Sequence, residues 1–364
     1  MNYENYIIDL ISRWDERGVE KRRVLPDPWL AASALQKAIR RGDRRTARTA
    51  VQILVERAPD RLWRRLVVIA LEDIGIADLS LVAAVLSVSG RAAWRRQQGG
   101  EGRVAAALVD AMCRATKCRD GCDILVVADL HPALARLRQT LIEFDDGELA
   151  SMVADPGQQL AGRVLAAWLL AGTERFPAAQ IVPRHGSIRA LLDVFDHLGV
   201  GADVVDIAAK GATRTQEAHP ISLPLISAQA AIAGGFEVLE EECPSLGFVA
   251  GWPSEAVDMH TRPGRRALSR FVSEDSRGLD RVLSRVEPGR REEIIGTAVF
   301  RIEGAAVDRR LTYRGSNEIL TDAEVAHLTW AGGTQEMAVE LLDRVRRDLP
   351  RLHDCRVKAM GERR

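Results

Sequence analysis

Lysine is scarce in this chain, with five residues in 364 against 46 arginines. The glycine-rich loop G-x-x-x-x-G-K-[ST], whose amides and lysine hold nucleotide phosphates, has no counterpart. The one Lys-Gly pair, Lys210-Gly211, runs in the wrong order. Binding or hydrolysis of ATP is therefore not expected, and neither is any other cofactor. Cysteine is sparse as well. Five residues, an odd number in a long chain, do not make a disulfide framework and point to a reducing cytoplasm. No apolar run approaches the roughly 20 residues needed to cross a bilayer, and the opening MNYENYIIDLISRWDERG is too charged for a signal peptide. A soluble cytoplasmic protein with no membrane partner is expected. Net charge is absent too: 51 basic residues balance 51 acidic ones, so no global field draws the chain toward nucleic acid. No repeat of fixed period is visible, which disfavours a solenoid.

What is present is helix after helix, so the expected class is all-α. The charge balance conceals an asymmetry: residues 13 to 65 carry 15 Lys/Arg against 7 Asp/Glu, and residues 131 to 256 carry 8 against 16. Asp27-Pro28 and Asp43 are helix starts, because Asp accepts from free first-turn amides and Pro suits the first helical position. In Arg61 to Asp78, RLWRRLVVIALEDIGIAD, apolar residues cover almost every face, predicting a buried helix. Glu72 and Asp73 then interrupt it, and Gly75 admits the positive φ of a cap. Further helices are predicted to Leu130 and, with Gly and Pro between them, to Ile232. Phe236 to Pro253 is rich in breakers and is expected to be irregular. Beyond it, Asp258 to Val272, Glu292 to Arg310 and Thr321 to Leu349 have helical spacing. Thr321 to Glu324 reads as a capping box, Gly332-Gly333 as a break, and no strand pair is expected.

The segments SALQKAIRRGD (Ser33 to Asp43) and RLWRRLVVIALEDIGIAD together resemble the region C-terminal to the ATPase module in the MgsA/RarA family of AAA+ ATPases, which includes the Werner-helicase-interacting protein. Ser33, Lys37, Arg40, Asp43, Arg64, Arg65, Glu72, Asp73, Gly75 and Asp78 carry the likeness, which extends more weakly through Val104 to Asp129 and covers residues 28 to 130. That region resembles the collar of clamp loaders. The resemblance implies a helical oligomerisation platform in a setting of DNA replication and repair, without implying a reaction. Only some 27 residues precede it, so no ATPase module is expected. Leu71 stands where the family has a small residue. The expected organisation is an N-terminal helix and linker (1 to 27), a collar-like helical domain (28 to 130) and a second helical domain of no assigned family (131 to 364). The preferred function is a non-enzymatic accessory protein of DNA replication, repair or mobile-element maintenance. The expected partners are further copies, as a dimer or tetramer, and DNA or a replication protein. Apolar helices around Leu66 and Leu81 also favour self-association, because a small domain cannot cover them.

Each possible chemical site competes with a structural role. Arg41, Arg44, Arg45 and Arg48 cluster around the turn at Gly42 and are the candidates for DNA contact, since arginine both neutralises and forks onto phosphate. Asp258, His260 and Arg262 hold the acid, base and cation of a hydrolase or nuclease, the rival function, although Asp258 also suits a helix cap. Cys113, Cys118 and Cys122 invite a metal, but zinc needs four ligands and no second pair is present. Ser33 has no base near it in sequence. Glu72 and Asp73 are expected to cap other helices or to bridge to arginine, with Arg61, Arg64 and Arg65 available, rather than to bind a cation, because adjacent residues do not face one way on a helix.

Overall fold

The computed structural model describes residues 3–14, 23–274 and 277–361; of the predicted basic linker 20–23, only Arg23 lies within them. The fold is all-α. Helix α1 (Tyr3–Arg13) buries Ile7 and Ile11. Asp27 caps α2 (Pro28–Arg40) by accepting from the amides of Trp29 and Leu30, and Asp43 caps α3 (Arg44–Arg57) by accepting from Thr46. Helix α4 (Pro59–Ile69) runs into a π-helical turn, Ala70–Ile74, and then a 3-10 turn, Gly75–Asp78. Gly75 has the expected positive φ, +52°, while its ψ of −131° lies outside the left-handed helical region. A Cβ there would come within 2.7 Å of the Cys118 carbonyl oxygen, so only glycine fits this corner.

Helices α5 (Leu79–Ser89), α6 (Ala92–Gln97), α7 (Glu101–Arg114) and α8 (Asp120–Leu130) complete the first part of the chain. Next come α9 (Ala135–Ile142), α10 (Asp146–Ala154), α11 (Leu160–Ala171), α12 (Ile188–His197), α13 (Ala202–Thr215) and α14 (Leu223–Ile232). One buried cluster runs through all of these, from Ile7 past Leu66, Leu165 and Ile226 to Tyr313, so the core does not break at residue 130. Leu66 and Leu81 are buried within the single chain, which removes them as a reason for self-association.

Two antiparallel strand pairs depart from expectation. Strand β1 (Glu237–Glu240) pairs with a strand seventy residues away, while β2 (Phe248–Val249) and β3 (Trp252–Pro253) form a minimal hairpin. Helices α15 (Arg262–Ser273), α16 (Arg277–Leu283) and α17 (Arg291–Val299) follow. The predicted helix to Arg310 ends in a second π-helical turn, Phe300–Gly304, and Arg309–Thr312 is strand β4, the partner of β1. Four residues are too few to display an alternating pattern. What holds them is long-range: Glu240 stands opposite Arg309, and Lys117 donates to and accepts from the other edge of β4.

Helix α18 (Ser316–Trp330) begins at Gly315, so Thr321 lies inside it. Its hydroxyl donates to the Asn317 carbonyl, and the predicted capping box does not form. The break at Gly332-Gly333 is present, and α19 (Gln335–Gly361) follows. Helices α15 to α19 share a second buried cluster around Phe271, Leu341 and Leu352. Among the described residues no helix is long and apolar enough to cross a membrane.

Candidate functional site

Ser33, Gln36, Lys37 and Arg40 lie at helical spacing along one face of α2. That face meets the acidic corner. Arg40, 2% exposed, donates through Nε to Asp73 Oδ1 at 2.7 Å and through Nη2 to Glu72 Oε1 at 2.9 Å. Arg119 donates to the same two carboxylates, and Gln36 Nε2 to Glu72 at 3.1 Å and Asp73 at 3.0 Å. Adjacent carboxylates reach common partners because the backbone there is a π-helical turn, whose wider i→i+5 spacing brings neighbouring side chains closer in direction. This corrects the expected partners. Arg64 bonds the Asp60 carbonyl, Arg65 reaches Gln36, and Arg61 lies over Trp29. Burial alone would raise the Glu72 pKa, but the charges of Arg40 and Arg119 outweigh it and hold the group at about 2.

One turn earlier on α2, Lys37 Nζ donates to Ser33 Oγ at 2.8 Å and forms an ion pair with Asp258. Ser33 Oγ donates to Asp258 Oδ2 at 3.1 Å, and Asp258 Oδ1 accepts from the His260 amide at 3.0 Å. Burial lowers the pKa of Lys37. At Asp258 burial acts upward, but Lys37 wins and the pKa falls. Ser33 Oγ is shared between the Lys37 amine and the Asp258 carboxylate, and the trio ties α2 to the chain that leads into α15. Asp258 is the carboxylate among the three predicted acid–base residues, and it faces this pair while His260 and Arg262 are exposed.

Above these two layers opens a cleft of about 1080 Å³, lined by Asp27, Trp29, His260, Arg262, Arg265 and Arg266 among others. A recess of about 490 Å³ continues from it, sharing Trp29, His260, Thr261 and Arg265 and reaching Ser33, Lys37 and Glu72. Trp29 is 62% exposed. The Arg61 guanidinium lies 3.5 Å from the centroid of its ring, covering one face, and Arg61 Nη1 has no hydrogen-bond partner. The lip of the cleft is thus an aromatic face among three arginines and His260, Asp27 being the acidic residue of the lining. Sequence reading passed over Trp29, although its place directly after the Asp27-Pro28 cap puts it at an exposed helix start.

The other candidates lie elsewhere. Arg41 turns inward to the carbonyls of Pro244 and Glu303 and to the Glu255 carboxylate, because the chain beyond Phe236 packs over the end of α2. Arg44 and Arg48 converge with Arg114 on Asp110, and Arg45 is exposed. Cys113 and Cys118 are buried, and burial pushes the Cys113 thiol up to about 12 and those of Cys118 and Cys122 well above their ordinary value. Among the described residues no three metal-ligating side chains gather in one place.

Asp120 is 2% exposed, and its Oδ2 has no hydrogen-bond partner. Burial first, then the charge of Asp123, pushes its carboxyl up to about 7, against the opposing pull of Tyr313 and Arg310. A pKa raised on folding contributes stability that is full below the unfolded value near 3.8 and is lost as pH rises through about 7. Asp120→Asn is therefore expected to stabilise the protein on the order of a few kcal/mol at pH 8 and hardly at all at pH 4. Melting temperatures of both proteins at the two pH values check this, and an equal gain at both would refute it.

The chain matches no protein-family model, no curated protein and no solved structure.

Proposed function

We propose that this protein is a non-enzymatic, self-assembling cytoplasmic accessory factor of DNA replication, repair or mobile-element maintenance that holds a nucleic-acid strand in the Trp29 cleft. The observation that carries this reading is the open ring of Trp29, backed by Arg61, facing a cleft rimmed by Arg262, Arg265 and Arg266. Stacking on an aromatic ring and neutralisation of phosphates by arginine are the two contacts by which proteins track single strands. The likeness of Ser33 to Asp43 and Arg61 to Asp78 to the MgsA/RarA collar region supports the DNA setting and supports assembly. Arg45, with the partly exposed Arg44, extends the same basic half of the chain. The rival hydrolase or nuclease reading around His260 has weaker support, because the Asp258 carboxylate is engaged by Lys37, Ser33 and a backbone amide.

Fluorescence anisotropy of a labelled oligothymidine tests the proposal. Trp29→Ala is expected to weaken binding by about 1–3 kcal/mol. Replacing Arg262, Arg265 and Arg266 together by Ala should flatten the dependence of affinity on salt by roughly 0.7 per lost phosphate contact. Affinity unchanged by both sets of substitutions would refute the cleft as the site, and a monomer in light scattering at all concentrations would refute assembly.

A further inference from the structure

Strand β1 sits at the rim of the two-stranded sheet with all four of its residues exposed, Val238 at 51% and Leu239 at 46%. Its inner side is paired with β4, in the register Glu237 to Thr312, Val238 to Leu311, Leu239 to Arg310 and Glu240 to Arg309. Which backbone groups point outward follows from the neighbouring bonds. Leu311 donates to the Lys117 carbonyl and Lys117 donates to the Arg309 carbonyl, so the odd residues of β4 bond away from β1. Glu241 donates to the Asp308 carbonyl, so the even positions of β4 face β1. Antiparallel alternation then directs the N–H and C=O of Glu237 and Leu239 toward β4, and those of Val238 and Glu240 to the open edge. Among the described residues no strand pairs with that edge.

Aliphatic side chains on a free, exposed edge are a template for strand addition. The charge on this edge selects what can add. Phe236 to Cys243 reads FEVLEEEC, four glutamates and no basic residue. Glu241 is paired with Arg310 at 2.7 Å, while Glu237, Glu240 and Glu242 are exposed. The strand already accepted on the inner side is Arg-Arg-Leu-Thr, basic and apolar. A second copy of β1 would instead bring four glutamates against four.

We infer that the open edge of β1 is a docking site for an extended segment of a partner protein in which apolar residues alternate with arginine or lysine. The segment adds as a third strand, exchanging hydrogen bonds with Val238 and Glu240; alternation sets its basic side chains on the face of Glu240 and Glu242 and its apolar ones beside Leu239. The site reaches the motif helix through two backbone bonds, Glu241 to Asp308 and Asp308 to the Arg40 carbonyl.

A synthetic hexapeptide of alternating arginine and valine, fluorescein-labelled, is the probe, with its glutamate counterpart as control. Saturable binding of the arginine peptide is expected, weakened at least about tenfold by Val238→Pro, which removes an outward donor while leaving the β4 ladder and every charge in place. Glu240→Lys with Glu242→Lys should transfer the preference to the glutamate peptide. Hydrogen exchange at the amides of Val238 and Glu240 should slow when the arginine peptide binds the unaltered protein. That measurement decides the matter if Val238→Pro does not fold. No saturable binding, affinity indifferent to Val238→Pro, or exchange unchanged on binding would overturn the inference. So would a dimer of the unaltered protein that Val238→Pro dissociates, because the edge would then be filled by a second copy.

Discussion

Asp73→Ala is expected to destabilise this protein by about 3–5 kcal/mol, a large share of a domain's stability. Asp73 is fully buried, and its carboxylate receives Arg40, Arg119 and Gln36 at once. Deleting it leaves two guanidinium groups, each under a tenth exposed, with Glu72 as their shared carboxylate and the Gly304 carbonyl as a further acceptor for Arg40. Breaking a buried pair from one side costs about 3–5 kcal/mol, because the orphaned charge keeps its desolvation penalty and loses its attraction. Whole domains have about 5–15 kcal/mol to lose. In urea unfolding the midpoint should fall steeply, and an unchanged midpoint would show that water reaches this network and satisfies it. The same network predicts an acid limit. Glu72 titrates at about 2 in the folded protein against 4.5 ordinarily, and a depressed carboxyl pKa contributes stability present above 4.5 and lost as pH falls toward 2. Asp73→Ala should move acid unfolding to higher pH.

Ile69→Asp should have an effect of similar size from the opposite chemistry. Ile69 closes α4 and is fully buried in the larger core, directly before the π-helical turn. An aspartate there finds apolar neighbours, and an unpaired carboxylate in such a place costs several kcal/mol or takes up a proton. Ile69→Val, which removes one methylene, should cost only about 0.5–1.5 kcal/mol. Circular dichroism melts of the two variants separate burial of charge from loss of volume. A melting temperature left unchanged by Ile69→Asp would mean that this helix is not at the centre of the fold.

Much of the α-helical architecture was legible in the chain, and the reason is locality. Asp27 and Asp43 cap amides two or three residues away, Pro28 sets its own φ, and Gly75 is required by the backbone at its own position. The burial of Leu66, Ile69 and Leu71 follows from apolar residues on every face of one helix. Locality also explains the misses. The Thr321 capping box has the right residues, but the chain had already entered the helix at Gly315, a start set by its own left-handed φ and by the Ser316 hydroxyl bonding the Tyr313 amide. Strands β1 and β4 are too short to carry a pattern and exist because each supplies the other's hydrogen bonds across seventy residues.

The candidate site divides along the same line. Ser33, Glu72, Asp73, Asp258 and His260 were each recognisable as polar residues in or beside apolar helices, and nothing in their spacing joined them. Lys37 and Asp258 are 221 residues apart in the chain, and Arg40 and Arg119 meet only because α2 and the start of α8 both pack against the acidic corner. By itself the sequence determined where the main helices begin and which faces they bury, because caps, glycine and apolar periodicity act within a turn or two. Which charges are paired, which arginines remain free for a ligand and which strand edge stays open were decided by the tertiary structure, since a buried charge takes whatever partner the packing of distant helices brings within hydrogen-bond reach.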